Sequence, residues 1–353
     1  MKNIIVTGGC GFIGSHTCLN LLEKGFKVYI IDSFANSSQK VIKRILETYT
    51  LSSNKPNINL EVFKGNLCDK DFLKEVFRKI TQENKEIHGV IHFAGFKAVA
   101  ESIIKPLSYW SNNVIGTINL LEIMEEFNCN TLVFSSSATV YESKDNVTLK
   151  ESSRLSPINP YGNTKYTIEK LLEDLFKSSV KKWKLACLRY FNPIGAHSSG
   201  LLGEDPKDIS NNIFPLIANT ALGIQERLKI YGNDWPTPDG TPVRDYIHVM
   251  DLAFCHINVL ESLMNNQSQF LTLNIGTGIG TSVLELVRTF ERVNNVKIPF
   301  VFDERRVGDA AYVVADNSIL SSKININYFR CIEDMCRDGW KWKQLNPKGY
   351  YEI

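Results

Sequence analysis

No apolar run in this chain approaches the roughly 18 residues that a membrane-spanning helix needs, so no transmembrane segment is expected. Neither sign of charge dominates. The 40 Lys and Arg against 38 Asp and Glu leave a formal net charge of +2, which gives no reason to expect nucleic acid or an anionic membrane as partner. No Cys-x-x-Cys pair occurs. The eight cysteines stand apart at 10, 18, 68, 129, 187, 255, 331 and 336, as reduced thiols of a cytoplasmic protein do, and not as a disulfide framework. The six histidines are scattered as well. His88 and His92 flank a strand-like apolar run, where a spacing of four does not bring them to one helix face, so no metal site is expected. The first residues run straight into a strand pattern, and no secretory signal is expected. There is no internal repeat and no low-complexity segment.

What is there begins at once. Lys2 to His16 reads as a buried strand, a glycine turn and a helix start. Ile4, Ile5 and Val6 suit a parallel strand covered on both faces. Gly8, Gly11 and Gly14 stand three apart. In such a turn one glycine permits the reversal, one lets backbone approach a pyrophosphate, and one lets helix pack on strand. The helix start around Phe12 and Ile13 then offers N–H groups and partial positive charge to phosphate. The next strand pattern, Lys27 to Ile31, ends at Asp32, 18 residues past Gly14. A carboxylate there suits a ribose 2′-hydroxyl and repels a 2′-phosphate, which favours NAD over NADP. A glycine triplet alone is a weak signal; strand, triplet, helix, second strand and terminal acid in one unit is a strong one.

At 353 residues the chain is long enough for two lobes. Its first half alternates strand and helix patterns, the mark of a Rossmann-type doubly wound parallel sheet. Helical stripes are expected over Val41–Tyr49, Phe72–Ile80 and Asn113–Phe127, and from Pro160 onward. A polar loop is expected at Asn54–Asn59. Gly8, Asp32, Asn66, Phe93 and Ser137 all fall at strand ends, where open parallel sheets bind ligands. Past Asn192 glycines, prolines and polar residues dominate, and helix patterns near Ile213–Gly223, Met250–Leu263 and Val283–Val293 suggest a smaller mixed α/β lobe. The expected division is residues 1–190 for NAD binding and 191–353 for substrate.

Tyr161 and Lys165 are four apart on the expected helix and share a face. A phenol of ordinary pKa, about 10, is a poor base at neutral pH. A neighbouring ammonium, or the positive charge of oxidised nicotinamide, stabilises the phenolate. Ser137 is placed to hydrogen-bond the same substrate hydroxyl. Together they suit removal of a hydroxyl proton while hydride leaves the same carbon. Tyr-x-x-x-Lys by itself arises by chance in a chain this rich in both residues; its place after the serine-rich strand end gives it weight.

Thr7-Gly8-Gly9-x-Gly11-Phe12-Ile13-Gly14, Ser137 and Tyr161-x-x-x-Lys165 resemble the extended short-chain dehydrogenase/reductase family. Longer runs resemble its UDP-galactose 4-epimerases: His92 to Val99, Phe134 to Tyr141, Leu188 to Pro193, Val243 to Leu252, and Arg305-Arg306-x-Gly308-Asp309. The resemblance covers nearly the whole chain. It implies a hydride relay between tightly held NAD and C4 of a UDP-hexose, through a 4-keto sugar, with Tyr161 moving the proton. It implies a cofactor bordered by Gly8, Gly11, Phe12, Ile13, Gly14, Asp32, Asn36, Asn66, Leu67, Phe93, Ala94, Lys97, Tyr161, Lys165 and Tyr190. On the substrate side it implies Ser137, Tyr161, Asn192, Asn212, Tyr231, Arg244, Arg306, Asp309 and Val313, with the two arginines on the diphosphate. It also suggests a homodimer through helices at 113–127 and 160–178.

Three departures stand out. Asn66 occupies a position where aspartate is common, Glu142 one where glycine is usual, and Val307 one where an acid is usual. The related 4,6-dehydratases carry an Asp-Glu pair after the active-site hydroxyl residue; here Ala138-Thr139-Val140 follows Ser137, which disfavours dehydration. Val313 falls where family members differ in bulk. Valine leaves more room than tyrosine, so UDP-GlcNAc and UDP-GalNAc are expected as further substrates, unless a register slip puts Tyr312 in the slot. The alternatives are a 4-epimerase preferring N-acetylated or uronate sugars, and a non-catalytic NAD-binding protein. Intact Ser137, Tyr161 and Lys165 speak against the latter.

Overall fold

The computed structural model describes residues 1–53, 59–82, 85–142, 147–178, 182–207, 212–306, 308–324 and 329–350. Most of the Asn54–Asn59 loop and Val307 therefore lie outside the described residues. In chain order the first elements are β1 Asn3–Thr7, α1 Phe12–Glu23, β2 Lys27–Asp32, α2 Lys40–Ser53, β3 Leu60–Lys64, α3 Lys70–Thr81 and β4 Ile87–His92. Then come α4 Val99–Ile104, α5 Pro106–Tyr109, α6 Gly116–Glu126, β5 Thr131–Ser137, α7 Pro160–Ser178, β6 Lys184–Tyr190 and β7 Asn192–Ile194. The rest is α8 Ile213–Ala221, β8 Leu228–Tyr231, β9 Val243–His248, α9 Val249–Asn265, β10 Gln269–Ile275, β11 Gly280–Ser282, α10 Val283–Asn294, β12 Phe300–Asp303, β13 Tyr312–Val313, α11 Ser318–Lys323 and α12 Ile332–Leu345.

Seven strands form one parallel sheet in the order β10-β6-β5-β4-β1-β2-β3. Strand order reverses at β1, so a crevice opens beyond the ends of β1 and β4. Period-two alternation splits the strand residues between two cores. Ile4, Val6, Val28 and Ile30 face Cys18, Leu19 and Leu22 of α1 and Leu252, Leu260 and Leu263 of α9. Ile5, Tyr29 and Ile31 face Leu73 and Phe77 of α3, Leu120 and Met124 of α6, and Ile168 and Leu172 of α7. Each of these fully buried aliphatic side chains contributes about 1.5–3 kcal/mol of transfer free energy.

The chain beyond 190 returns to this sheet, since β10 is its edge strand on β6 and α9 covers β4, β5 and β6. The remaining elements form small sheets. In one, β9 pairs with β7, β11 and β13; in the other, β8 pairs with β12. Their own core joins Phe214, Ile217, Tyr246, Phe290, Met335 and Trp340.

The helix expected over Asn113–Phe127 differs at its start. A π-helical turn, Trp110–Ile115, precedes α6. Asn113, in that turn, is directed inward. Its Nδ2 donates to Phe96 O at 3.1 Å and Thr164 Oγ1 at 3.2 Å, and its Oδ1 accepts from Phe96 N at 2.8 Å. A polar side chain bonded into the interior breaks the apolar stripe from which a uniform helix is read.

Candidate active site

The glycine turn is built by steric necessity. Gly8 has φ of +67°, and a Cβ there would lie 2.7 Å from Ala94 N at the end of β4. A Cβ on Gly14 would lie 2.3 Å from Gly8 O, so only glycine lets α1 approach the turn. At Gly11 the nearest atom to an added Cβ is Gly8 O at 3.3 Å, and Gly11 caps α1 without a side-chain bond. The first-turn N–H groups beside Phe12, Ile13 and Gly14 thus have no side-chain acceptor from the cap, which fits a pyrophosphate.

Asp32 ends β2 buried. Its Oδ2 accepts from Cys10 N at 2.9 Å, and its Oδ1 accepts from Phe34 N at 2.8 Å and Ser37 Oγ at 2.9 Å. These bonds tie the acid to the glycine turn and to the loop that follows β2. Phe34 takes a positive φ of +58° to make this turn. Asn36 Oδ1 accepts from Lys207 N at 2.8 Å. Asn66 Oδ1 accepts from Cys68 N at 2.9 Å, so one acceptor position of the amide is spent on its own turn. Leu67 is buried beside it. Phe93 packs on His256 with ring centroids 4.7 Å apart, and Ala94 N donates to Thr7 Oγ1 at 3.3 Å.

The chemistry-bearing trio meets at the end of β5. Ser137 Oγ accepts from Thr139 N at 3.2 Å and Thr139 Oγ1 at 3.0 Å, and it also hydrogen-bonds Tyr161. Tyr190 OH pairs with Ser135 Oγ at 2.6 Å. Lys165, 4% exposed, donates to Ser135 O at 2.7 Å. Its Nζ lies 4.8 Å from the Phe134 ring centroid and 5.8 Å from that of Tyr161. Burial lowers Lys165 to about 8, with Glu169 acting the other way. Burial raises Tyr161 above its ordinary range, Tyr190 adds to the rise, and the Ser137 bond opposes it. The Lys165 ammonium and the positive charge of oxidised nicotinamide are the expected stabilisers of the phenolate; in the protein by itself the ammonium is bonded to the Ser135 carbonyl, and burial is the largest influence on Tyr161.

On the second lobe the expected residues fall into pairs. Arg244 NH1 donates to Val243 O and Ala310 O, both at 2.8 Å, and NH2 is bonded to Asp309. The Arg306 guanidinium stacks 3.9 Å over the Tyr231 ring centroid. Val313 lies opposite Arg244 in the β13–β9 register and packs in a cluster with Ala138, Tyr141 and Phe191. Tyr312 points the other way, its OH 3.3 Å from where a Cβ on Gly280 would stand. Asn192 opens β7 opposite Tyr246. Glu142, at the position where glycine is usual, pairs with Arg154 at 3.5 Å.

Some residues were not singled out from sequence. Glu204 Oε1 receives both Lys97 Nζ at 3.2 Å and Asn212 Nδ2 at 2.7 Å, joining a residue expected on the cofactor side to one expected on the substrate side. It lies in a Pro/Gly-rich loop with no periodic signal. Glu169 and Arg189 form a buried pair at 2.6 Å behind Lys165. The i+4 spacing from Lys165 was the signal available for Glu169.

Fold and centre define a class: a Rossmann protein with a Ser–Tyr–Lys set beside a dinucleotide cradle. The family profile described as GDP-mannose 4,6 dehydratase matches residues 5–338. UDP-glucose 4-epimerase 1 of Oryza sativa subsp. japonica is 47% identical over 352 residues, covering 99% of this chain and 97% of that protein. The Bacillus subtilis UDP-glucose 4-epimerase is 44% identical, with 98% of both chains covered. Among solved structures, a UDP-glucose 4-epimerase from Stenotrophomonas maltophila, with bound NAD and formylated UDP-arabinopyranose, superposes with a TM-score of 0.92 at 39% identity over 99% of both chains. The Bifidobacterium longum enzyme in complex with NAD+ and UDP gives 0.90 at 39% identity, covering 99% of this chain and 100% of that one. The chain belongs to the extended short-chain dehydrogenase/reductase family, among its UDP-glucose 4-epimerases.

Proposed function

We propose that the protein interconverts UDP-glucose and UDP-galactose, with NAD as a retained cofactor. The observation that carries this reading is the buried Ser137–Tyr161–Lys165 set at the strand end next to the glycine cradle. NAD, when bound there, would supply the reversible acceptance of hydride from sugar C4 and, in its oxidised form, a positive charge near the phenol. Tyr161 takes the 4-hydroxyl proton and later gives it back. Ser137 orients that hydroxyl, and Lys165 supports the phenolate. Asp32, the α1 N-terminus and the residues from Asn36 to Tyr190 named above hold the dinucleotide; Lys97 reaches its pyrophosphate. Arg244 and Arg306 hold the substrate diphosphate, with Asp309 orienting Arg244, Tyr231 near uracil, and Asn192 and Asn212 as polar contacts. The hexose, held by fewer groups, is left free to turn.

A roomier sugar pocket is the second part of the proposal. Val313 packs in the cluster with Ala138 and Phe191, the chain neighbours of Ser137 and Asn192, while Tyr312 faces Gly280, which supports acceptance of UDP-GlcNAc and UDP-GalNAc. The test is proton NMR of purified protein, without added NAD, incubated with UDP-galactose and with UDP-GalNAc. C4 epimers of both sugars are expected. Conversion of UDP-galactose alone removes the N-acetyl proposal; conversion of neither, even with NAD supplied, removes the function, and UDP-uronates are tried next. Val313→Tyr is expected to cut N-acetyl turnover at least tenfold and spare UDP-galactose. Undiminished N-acetyl turnover speaks against the role of Val313.

The proposed assembly is a homodimer. Ile103, Ile104, Leu107, Trp110, Ile115 and Ile118 form an exposed apolar stripe along α4 to α6, an unusual face to leave in water. We place the NAD-binding lobe at 1–190 and the substrate lobe at 191–353, with α9 and β10 lent back to the first sheet. No described helix is long and apolar enough to cross a membrane. The cytoplasm is the proposed compartment, supported by eight free cysteines.

A further inference from the structure

Behind the Ser–Tyr–Lys set lies a second charged cluster. Glu169 stands one turn beyond Lys165 on α7 and is 5% exposed. It accepts from Ser136 Oγ, the neighbour of Ser137, and from Arg189 through Nε at 3.0 Å and NH2 at 2.6 Å. Arg189, 4% exposed, also donates through NH1 to Tyr141 OH and to Glu151 O, each at 3.0 Å. Tyr141 OH donates in turn to Asn274 Oδ1 of β10 at 2.6 Å. The cluster ties α7 to the ends of β5, β6 and β10.

A buried ion pair is a poor source of net stability, because desolvation offsets most of its attraction and apolar groups of the same shape pack as well. The arrangement therefore calls for another reason, and the charges supply one. Two buried cations share the neighbourhood of one buried anion: Glu169 is ion-paired with Arg189 and stands four residues along α7 from Lys165. We propose that Glu169 is a positioning residue for the Tyr161–Lys165 pair: its carboxylate balances Arg189, so that Lys165 keeps its proton beside the phenol. The inference rests on the epimerase reading above.

The other groups facing Lys165 do not do this. Tyr161 is on its own helix. From β6 come Tyr190, a phenol pushed up by burial, and Arg189 itself. From β4 comes His92, which burial lowers to about 3, so it is neutral and held between Thr7 and Thr117. From β5 come the Phe134 ring and a backbone carbonyl. Tyr109 of α5 faces Tyr161. With Lys165 already lowered to about 8 by burial, and Glu169 the group that raises it, loss of the Glu169 charge lets it fall toward neutrality.

The experiment is kcat against pH for the protein as purified with its cofactor. In Glu169→Gln the alkaline limb is expected to move down by about one pH unit or more, with KM for UDP-galactose little changed. In Arg189→Gln it is expected to move up, and in Glu169→Asp to return near the wild type. A purely structural pair would lower kcat in both variants without moving the limb, or move it the same way in both; either result overturns the proposal. Should Glu169→Gln fail to fold, the double variant Glu169→Gln/Arg189→Gln removes both charges and is expected to keep the wild-type limb; a displaced limb overturns the proposal. NMR titration of 13Cε-labelled Lys165 reads the same shift without turnover. If the wild type epimerises neither sugar, the functional reading falls, while the titration still decides the charge balance.

Discussion

Tyr161 shows how much of this centre hangs on single side chains. Burial holds its phenol above the ordinary range, and Ser137 is the protein group that opposes this. In the proposed mechanism, a residue set against its own ionisation in the protein alone does its work when the substrate hydroxyl and the cofactor charge are both in place. Tyr161→Phe is expected to lower kcat by roughly 10²–10⁴-fold and to leave retained NAD, read by absorbance on reduction, unchanged. Retained turnover would move the proton transfer to another group. Much of this was legible in the sequence, because Tyr161 and Lys165 share a helix face by spacing alone and Ser137 ends a strand. Glu204, with its bonds to Lys97 and Asn212, was not legible: it is 107 residues from one and 8 from the other, and no periodicity links them.

Elements rather than residues set where these side chains stand. The strands were readable because each carries its own apolar alternation, with both phases filled where helices cover both faces. The segment before α6 was not, because the π turn that turns Asn113 inward depends on Phe96 and Thr164, 17 and 51 residues away. The same segment carries the apolar stripe. Leu107, 82% exposed, lies near its middle. If the proposed homodimer forms through this stripe, Leu107→Glu is expected to leave a monomer in sedimentation velocity where the unaltered protein is a dimer, with UDP-galactose turnover per chain largely kept. An unchanged dimer would place the interface elsewhere.

For the molecule as a whole, buried histidines make stability depend on acid. His16 and His92 are lowered to about 3 and His256 to about 4, in each case first by burial. Their depressed values in the fold mean that the unfolded chain takes up protons below about 6.5 that the folded chain refuses. Stability is therefore full above that pH and is lost on the way down toward 3 to 4. Each histidine contributes up to about 1.4 kcal/mol per pH unit in that window. The urea midpoint is expected to drop clearly between pH 7.5 and pH 5.0, and an equal midpoint at both would contradict the burial. The three His-to-Gln changes together should flatten the dependence.

The sequence by itself determined the doubly wound sheet, the glycine cradle, the acid at the end of β2 and the Tyr–Lys face, since each follows from short-range spacing: two for a strand, about 3.6 for a helix, three between glycines. Tertiary structure alone decided the rest. It brought β10 back to the edge of the first sheet, turned Val313 and not Tyr312 toward Ala138 and Phe191, gave Lys97 and Asn212 a common carboxylate, and paired Glu169 with Arg189 one helical turn from Lys165. Those contacts join residues far apart in the chain. Their energies come from desolvation and from charges facing one another across elements, which no local pattern encodes.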